Sequence, residues 1–234
     1  MRLVLMRHAE TALNAANKFQ SRLDPPLDER GRRAALAATL ELPAQAWGAV
    51  YASPMVRSCH TAQIVGQSQR HPTTLTELIE RDLGVLDGLD KAGYARLDPE
   101  GMNRLLGDAN YAPAGGETRT AVRWRLASAI VQIHREHNAT SKPVLAVTHG
   151  GVLRELLASA PSVSNDLIGT CGAVSVHVAL SGGRDLSLRL ENIGSTVADC
   201  HRTWTSTGTE TILPRPEMTL VPGTVADQPK GLLP

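Results

Sequence analysis

Short apolar runs and helix-like segments alternate along most of the chain. The apolar runs are typical of strands buried on both faces of a sheet, and strands are predicted at residues 3–6, 48–52, 73–75 and 144–148. Segments with helical periodicity follow them, and helices are predicted at about residues 29–42, 53–65, 118–137 and 150–159. The alternation predicts an α/β fold of three layers, with helices on both faces of a mostly parallel central sheet.

The ends and faces of these helices carry local signals. Asp28 is expected to cap the first helix, which Pro43 ends. Ser53 is expected to be the N-cap of the second helix and Pro54 its first residue. The third helix is predicted to be amphipathic, with one apolar stripe made of Val122, Leu126, Ala129, Ile130 and Ile133.

Two further segments depart from the alternation. Glycine, aspartate and proline recur between Arg81 and Gly116. We therefore expect only short helical turns there, and an insertion over the sheet edge at about residues 87–114. Two alternating segments, 174–180 and 186–191, flank the turn Ser181-Gly182-Gly183 and predict a β-hairpin.

Length and charge limit the organisation and the partners. The 234 residues are predicted to form one domain over 1–204 and an irregular tail over 205–234. Lys and Arg number 24 against 23 for Asp and Glu, a net charge of +1. This balance argues against nucleic acid as a partner, so anion binding must be local. No apolar stretch approaches the ~20 residues that span a bilayer, so no membrane partner is expected.

Cysteine usage indicates the compartment. Cys59, Cys171 and Cys200 are an odd number of scattered cysteines without a Cys-x-x-Cys pair, which fits a reducing compartment better than a disulfide framework. The apolar run at the N-terminus is too short for a signal peptide and ends on charge, so we expect a cytoplasmic location. No histidine or cysteine pair has further ligands with the spacing of a zinc site, so no metal is expected.

Histidines and arginines follow three of the predicted strands. Arg7-His8 comes directly after the first strand, and His149-Gly150-Gly151 comes after the strand at 144–148 and opens a helix. Glycines allow a ligand to approach the backbone, and the free N–H groups at a helix start favour an anion. Arg57 lies in the first turns of the helix that follows another strand. Because ligands bind at the carboxyl ends of parallel strands, we expect one anion site at this rim.

The order of these motifs resembles the histidine phosphatase superfamily, also called the phosphoglycerate mutase-like family, from Leu3 to about Thr196. The resembling segments are Leu5–Thr11 with Asn14 and Gln20, Pro26–Gly31, Ser53–Arg57 with Thr61-Ala62, Glu80, Gly115–Thr118 with Arg125, Thr148–Gly151, and Asn192 with Ser195-Thr196. Because these segments occur in the family's order, the match is specific, and it implies the phosphoglycerate mutase-like fold.

The resemblance implies a set of site residues. The implied catalytic residues are Arg7, His8, Arg57, Glu80 and His149, and the implied substrate-binding residues are Asn14, Gln20 and Gly150. His8 would attack phosphorus as a neutral imidazole, with its other nitrogen held by a backbone acceptor. Glu80 would give a proton to the leaving oxygen and then act as the base on water. Arg7 and Arg57 would each offer forked donors to the phosphoryl oxygens, and His149, protonated or as an N–H donor, would complete the clamp.

Three positions depart from the family pattern. Ala9 replaces the usual glycine after the first histidine but is still small, so a phosphate can approach. Ser21 replaces the common glycine after Gln20. Leu86 stands where many members carry tryptophan, so we expect a wider pocket wall there.

Three functions are compatible with these residues. The leading one is a metal-independent phosphomonoesterase that acts on a small phosphorylated metabolite through a phosphohistidine on His8 and needs no cofactor. The second is a phosphoglycerate mutase-type phosphotransferase, against which the short and barely basic insertion argues. The third is a phosphoprotein phosphatase or a regulatory phosphohistidine module. The proton donor Glu80 argues against a role in binding alone.

Substrate choice is expected to depend on the insertion. Its candidate specificity residues, which could equally form a solvated lid surface, are Lys91, Tyr94, Arg96, Arg104 and Tyr111. Glu117 and Arg125 are expected to pair structurally or to cap the long helix. The short strand near Thr73 could support a homodimer through the edge of the sheet.

Overall fold

A computed structural model describes residues 1–40, 42, 46–67, 71–158, 168–181, 185–194 and 211–212. Its strands are Arg2–Arg7 (β1), Ala49–Ala52 (β2), Thr73–Thr74 (β3), Val144–Thr148 (β4), Ala173–Ser181 (β5), Asp185–Gly194 (β6) and Thr211–Ile212 (β7). They form one sheet in the order β3-β2-β4-β1-β5-β6-β7. The pairs among β1 to β4 are parallel, and β5, β6 and β7 add antiparallel pairs at one side.

Helices cover both faces of this sheet. They are Ala12–Ala15 (α1), Glu29–Leu40 (α2), Val56–Val65 (α3), Lys91–Leu97 (α4), Pro99–Gly107 (α5), Arg119–His137 (α6) and Gly150–Leu157 (α7). Two 3₁₀ turns lie at Thr76–Leu78 and Gly84–Leu86. No helix in the described part of the chain is both long enough and apolar enough to cross a membrane.

The alternation of side chains along β1 divides the core into two layers. Leu3 and Leu5 belong to an apolar cluster that includes residues of α6 and α7, whereas Val4 and Met6 belong to one that includes residues of α2 and α3. Successive side chains of a strand point to opposite faces, so one fully buried strand supplies both layers. The predicted apolar stripe of α6 is buried along its whole length. The α/β fold of three layers is confirmed.

The antiparallel side agrees with the predicted hairpin. β5 and β6 pair from Ala173–Gly194 to Ser181–Asp185, with an irregularity at Ser175. The turn at 182–184 lies outside the described residues, as do Pro43, Cys200, Ser195-Thr196 and most of the segment 205–234. Within the expected tail, Thr211–Ile212 pairs with Arg189 and Leu190 of β6.

The start of α3 differs from the prediction. The helix begins at Val56, with Met55 as its N-cap, and not at Ser53 and Pro54. The Ser53 hydroxyl lies 2.8 Å from Nε2 of His149 and accepts from the Met55 N–H at 3.4 Å. The Val56 N–H instead donates to the Asp24 carboxylate at 2.9 Å.

The insertion is also more ordered than expected. In place of isolated turns it contains α4 and α5, capped by the side chains of Asp90 and Asp98. Leu105 and other apolar side chains of the insertion pack with Phe19 and Leu86 in a small separate core. An aspartate N-cap satisfies free N–H groups and stabilises helices too short to persist alone. The many glycines and prolines of this segment are the reason why neither helix was predicted from the sequence.

Candidate active site

The two histidines meet where β1 and β4 end side by side. The parallel register pairs Arg7 with Thr148, and the next residue of each strand is a histidine. The His8 N–H donates to the Thr148 carbonyl at 2.9 Å. The rings of His8 and His149 lie edge to face, 5.1 Å apart. The predicted convergence of the two strand ends is therefore observed.

His8 is buried and held in one tautomer. Its Nδ1 lies 2.7 Å from the Ala9 carbonyl, which can only accept, so Nδ1 carries the hydrogen and Nε2 the lone pair. Nε2 faces the Nε of Arg57 at 3.3 Å and the Nε2 of Gln20 at 3.5 Å. Burial, and next the charge of Arg57, hold the pKa of His8 well below its usual value. The imidazole is thus neutral, with its lone pair beside two donors.

The guanidinium of Arg57 is arranged differently from the expected fork. Its Nη1 donates to the Leu23 carbonyl at 2.7 Å and to Asp24 at 3.2 Å, and its Nη2 donates to the Ser21 carbonyl at 3.0 Å. Only Nε is turned toward His8. Arg57 therefore directs its Nε at the reacting centre, while two loop carbonyls and the Asp24 carboxylate bind its other two nitrogens.

The contacts that hold the His149 ring are made by one of its two nitrogens. Its Nε2 lies 2.8 Å from the Ser53 hydroxyl and 3.3 Å from that of Ser58. Its buried Nδ1 has no hydrogen-bond partner among the described residues. Burial, and next its closeness to His8, hold the pKa of His149 well below its usual value. Of the two forms expected for His149, the geometry and burial favour the neutral N–H donor.

Arg7 and Gly150 fit closely together. Nη1 of Arg7 donates to the Ile168 carbonyl at 3.0 Å, while its buried Nε has no hydrogen-bond partner in the part of the chain that the structure describes. A Cβ at Gly150 would lie 3.2 Å from that Nε. Glycine therefore lets the arginine pass against the start of α7, and a larger residue would displace it.

Glu80 lies in the loop between the two 3₁₀ turns. Its Oε1 accepts from the Arg81 N–H at 2.8 Å, and its Oε2 accepts from the Gly151 N–H at 3.2 Å. A Cβ at Gly151 would come within 2.4 Å of the carboxylate. The second glycine after His149 thus makes room for this acid at the helix start.

Asn14 and Gln20 are linked through Thr11. The Thr11 hydroxyl donates to Oε1 of Gln20, which turns the Gln20 amide nitrogen toward His8. The Thr11 N–H donates to Oδ1 of Asn14 at 3.2 Å in a capping box that begins α1. In both amides the oxygen is used by the protein, so the NH₂ group is the one that can reach a ligand.

Ser21 shows why glycine is common at its position. Its φ is +44°, in the left-handed region that costs an L-residue roughly 1–2 kcal/mol. Its hydroxyl accepts from the Leu83 N–H at 2.8 Å, and its carbonyl accepts from Arg57. Leu86, by contrast, is buried with Phe19 in the small core and does not line the cavity. The expected widening of the pocket wall at Leu86 stays a prediction.

A cavity of about 350 Å³ opens beside His8. Its charged lining residues are Arg7, Lys18, Glu80, Arg81, Lys91, Arg119, Arg154 and Glu155. Of the five candidate specificity residues, only Lys91 lines it. Sequence reasoning missed Lys18 and Arg154. The second could have been found, because it lies four residues after Gly150 on the same face of α7.

Metal ligation has no clear place in the described structure. Among the residues described, no three His, Cys, Asp or Glu side chains come together in a way that could hold a metal ion. Cys59 and Cys171 are free thiols. Burial raises the pKa of the Cys171 thiol to about 11, so this cysteine is an inert part of the core.

Acid should destabilise the fold through His8 and His149. Burial holds both pKa values well below the ordinary 6.5. The unfolded chain therefore takes up these protons first as the pH falls below 6.5, and stability declines from there toward the folded-state pKa. On unfolding, each histidine is expected to take up at most one proton. This uptake corresponds to a slope of the free energy of unfolding of about 1 kcal/mol per pH unit. Denaturant titrations from neutral to mildly acidic pH measure this slope.

Two variants separate the contribution of each histidine to this slope from that of the rest of the chain. His8→Asn and His149→Asn should each lower the slope by about one proton. A slope that is the same in the wild type and in both variants would show that neither imidazole is held neutral by burial.

Comparisons with known proteins agree with this site. Residues 3–184 match the family model of the histidine phosphatase superfamily (branch 1). The chain is 33% identical over 159 residues to the metal-independent phosphoserine phosphatase of Arabidopsis thaliana, covering 66% of each chain, just under two thirds of that relative. It is 30% identical over 164 residues to the glucosyl-3-phosphoglycerate phosphatase of Mycolicibacterium vanbaalenii, covering 68% of this chain and 73% of that one.

A solved structure agrees as well. The mycobacterial glucosyl-3-phosphoglycerate phosphatase in complex with VO3 superposes with a TM-score of 0.69 at 26% identity, over 83% of this chain and 98% of that one. The sequence match and the shared fold cover the segments that carry His8, Arg57, Glu80 and His149. The chain belongs to the histidine phosphatase superfamily.

Proposed function

We propose that this chain is a phosphomonoesterase that hydrolyses a small phosphorylated metabolite through a phosphohistidine on His8. The observation that carries the proposal is the orientation of this imidazole. Its Nδ1 donates to the Ala9 carbonyl, so the lone pair is on Nε2, beside Arg57 and Gln20 at the cavity. A neutral nucleophile avoids the repulsion that a phosphate dianion would exert on an anionic one.

In the first step, the Nε2 lone pair of His8 attacks phosphorus as the bond from phosphorus to the ester oxygen breaks. The leaving alkoxide takes the proton of the Glu80 carboxyl group and departs as a neutral alcohol. The phosphoryl group is then bonded to Nε2, and Glu80 is left as a carboxylate.

In the second step, the Glu80 carboxylate takes a proton from a water molecule whose oxygen attacks phosphorus. The phosphorus–nitrogen bond breaks, its electron pair returns to Nε2 of His8, and inorganic phosphate leaves. Glu80 ends protonated and His8 neutral, so both groups regain their starting forms.

Hydrogen-bond donors around His8 stabilise the charge on the phosphoryl oxygens. The Ser53 hydroxyl lies 2.8 Å from Nε2 of His149. We propose that it donates to this nitrogen, which would place the N–H of His149 on its buried Nδ1, a nitrogen without a hydrogen-bond partner among the described residues. The buried Nε of Arg7 is a second donor. Arg57 and Gln20 already point at Nε2 of His8 and can shift to the oxygens when that nitrogen bonds to phosphorus. Catalysis of this kind is mostly positioning and electrostatics.

Asn14 and Gly150 are proposed to bind the substrate. Both line the cavity. The Oδ1 of Asn14 is used by Thr11, so its NH₂ group is the free donor. Gly150 is the first residue of α7, where backbone N–H groups have no partner within the helix.

The cavity carries more positive charge than one phosphoryl group requires. Lys18, Lys91 and Arg154 line it, and in the described structure none of them pairs with a carboxylate. Burial, followed by the charges of Arg7 and Arg154, lowers the pKa of Lys91. Cations that repel one another favour a substrate with a second anion. Phosphoserine and glucosyl-3-phosphoglycerate, named in two relatives, both carry a carboxylate.

A substrate panel with a Lys91→Met variant tests this substrate class. Carboxylate-bearing phosphomonoesters such as phosphoserine should exceed glycerol phosphate in kcat/KM for the wild type. Lys91→Met should raise KM for the carboxylate-bearing esters by roughly 10–100-fold, because it removes one charged hydrogen bond. Its kcat/KM for glycerol phosphate should change little.

The matched control is Arg96→Gln, which removes a cation from the same helix at an exposed position away from the cavity. It should leave both substrates unaffected. Equal losses on the two substrate types in Lys91→Met would overturn the carboxylate assignment but leave the phosphatase proposal in place.

The alternatives are separated in the same panel. A mutase would convert phosphoglycerate isomers, so a coupled assay without and with bisphosphoglycerate detects it. The absence of Arg96 and Arg104 from the cavity wall favours the phosphatase. Phosphopeptides in the panel test a phosphoprotein phosphatase, and activity confined to them would contradict the small-metabolite proposal.

The remaining expectations from the sequence stay proposals. We propose a cytoplasmic location, a domain over residues 1–204, an enzyme that needs no metal or cofactor, and no nucleic-acid or membrane partner. A homodimer through β3 is testable by light scattering. Hydrolysis that persists in excess chelator would support metal independence.

A further inference from the structure

The segment that carries Glu80 has no regular secondary structure, yet Arg125 fastens it on its N-terminal side. Nη1 of Arg125, on α6, donates to the carbonyls of Glu77 at 2.8 Å and Ile79 at 2.5 Å. Ile79 immediately precedes the proposed proton donor. A loop position fixed by two hydrogen bonds from a long helix has little freedom to shift.

The same arginine reaches the C-terminal side of Glu80 through Glu117. Nε and Nη2 of Arg125 bind both carboxylate oxygens of Glu117 at 2.8 and 3.0 Å. The Glu117 N–H in turn donates to the Asp82 carbonyl at 2.9 Å. Burial alone would raise the pKa of Glu117, but the hydrogen bonds and charge of Arg125 leave it below its usual value. The ion pair thus spans from residue 79 to residue 82 and brackets the acid.

Arg81 adds a third attachment. Its side chain is only 7% exposed and donates to the carbonyls of Glu117, Leu105 and Tyr111 at 2.9, 3.1 and 2.8 Å. Its own N–H donates to the Glu80 carboxylate. All three attachments converge on the residues that flank Glu80, whereas Arg125 and Glu117 themselves lie outside the cavity wall.

We propose that the Arg125–Glu117 pair consists of positioning residues that set the distance from the Glu80 carboxyl group to the leaving oxygen. The proposal rests on the proposed function, because it assumes that Glu80 is the proton donor. Proton transfer is efficient only within hydrogen-bond reach, so a small displacement of the loop selectively slows the step that needs the proton.

Leaving-group dependence distinguishes this role from a merely structural one. The probes are 4-nitrophenyl phosphate, whose leaving group needs little protonation, and benzyl phosphate, whose leaving alkoxide needs a proton. Arg125→Gln is expected to lower kcat/KM for benzyl phosphate by about 100-fold and for 4-nitrophenyl phosphate by less than about fivefold. Arg125→Lys, which keeps the charge, should recover part of the loss. KM for benzyl phosphate should change little.

The matched control is Arg2→Gln. Arg2 is also a buried arginine, paired with Glu191 and Ser175, but it lies at the opposite end of β1. It should lower thermal stability without changing the ratio of the two substrates. Glu117→Gln keeps the shape of the pair, removes its charge and should reproduce the selectivity of Arg125→Gln, which covers the case in which Arg125→Gln does not fold.

A double variant completes the test. If Arg125 acts through Glu80, Arg125→Gln should cost benzyl phosphate hydrolysis almost nothing further in a Glu80→Gln background. Equal losses on both substrates, or additive losses in the double variant, would overturn the positioning role while Glu80→Gln itself still discriminates the substrates. If Glu80→Gln does not discriminate them, both the positioning role and the proposed proton donor fail.

Discussion

His8→Ala should lose turnover of every phosphomonoester by at least about four orders of magnitude, because no other group replaces a nucleophile that forms the covalent intermediate. The loss should be in kcat, since the donors that bind the phosphoryl group stay in place. Phosphate release measured under substrate saturation gives the value. His60→Gln, which removes an exposed histidine of α3, is the matched control and should keep wild-type activity.

The neighbouring imidazole of His149 is the alternative nucleophile that this experiment can detect. The ring of His149 lies 5.1 Å from that of His8, and its buried Nδ1 has no hydrogen-bond partner among the described residues. If His8→Ala keeps substantial activity and His149→Ala does not, the nucleophile is His149, and the tautomer argument for His8 was wrong.

Glu80→Gln should slow hydrolysis of alkyl phosphates by roughly 10²–10⁴-fold, the usual contribution of a positioned general acid. Glutamine has nearly the same shape, and its oxygen can keep one of the two backbone hydrogen bonds, from Arg81 or from Gly151. With 4-nitrophenyl phosphate, formation of the phosphoenzyme should continue while its hydrolysis, which needs Glu80 as a base, is slow. We therefore expect a rapid burst of nitrophenol equal to the enzyme concentration.

Rapid-mixing absorbance measurements detect that burst. A variant that releases nitrophenol steadily at the wild-type rate, and that also hydrolyses alkyl phosphates normally, would remove Glu80 from the mechanism. The phosphoryl-binding part of the site would be unaffected by that result.

The layers of the fold were predictable because burial imposes a period on the sequence. The stripe from Val122 to Ile133 recurs at helical spacing and is buried as predicted. The run at 144–148 is apolar throughout because both faces of β4 are covered. The start of α3 was not predictable in this way. Ser53 is a good cap residue by type, but the helix begins three residues later, and the Ser53 hydroxyl contacts His149, which is distant in the sequence.

The site was predictable to the level of its residues but not of their hydrogen bonds. A histidine follows each of two predicted strands, which indicates that both histidines lie at the same edge of the sheet. In the structure, these strands, β1 and β4, do lie side by side. Which nitrogens of Arg57 are free depends on carbonyls in the loop at 21–24, whose path is set by Ser21 in its left-handed conformation. The spacing of residues along the sequence does not predict such hydrogen bonds.

The charge of the cavity was underestimated for a related reason. A lysine such as Lys18, or an arginine such as Arg154, has the same sequence signature on a solvated surface as in a pocket. In the structure, both line the same cavity as Lys91, Met102 and Leu105 of the insertion, whose helices α4 and α5 were not predicted. From the sequence we expected one anion site, and the added cations are the reason why we propose a substrate with a second anion.

The most direct test of the account is to locate the phosphoryl group on the enzyme during turnover. Glu80→Gln, mixed with 4-nitrophenyl phosphate and quenched in alkali, should gain one phosphoryl group per chain. Peptide mass spectrometry should place it on His8, and mild acid should release it, as expected of a phosphohistidine. A phosphoryl group on His149 or on a serine, or turnover with no phosphoenzyme at any time, would contradict the proposed mechanism.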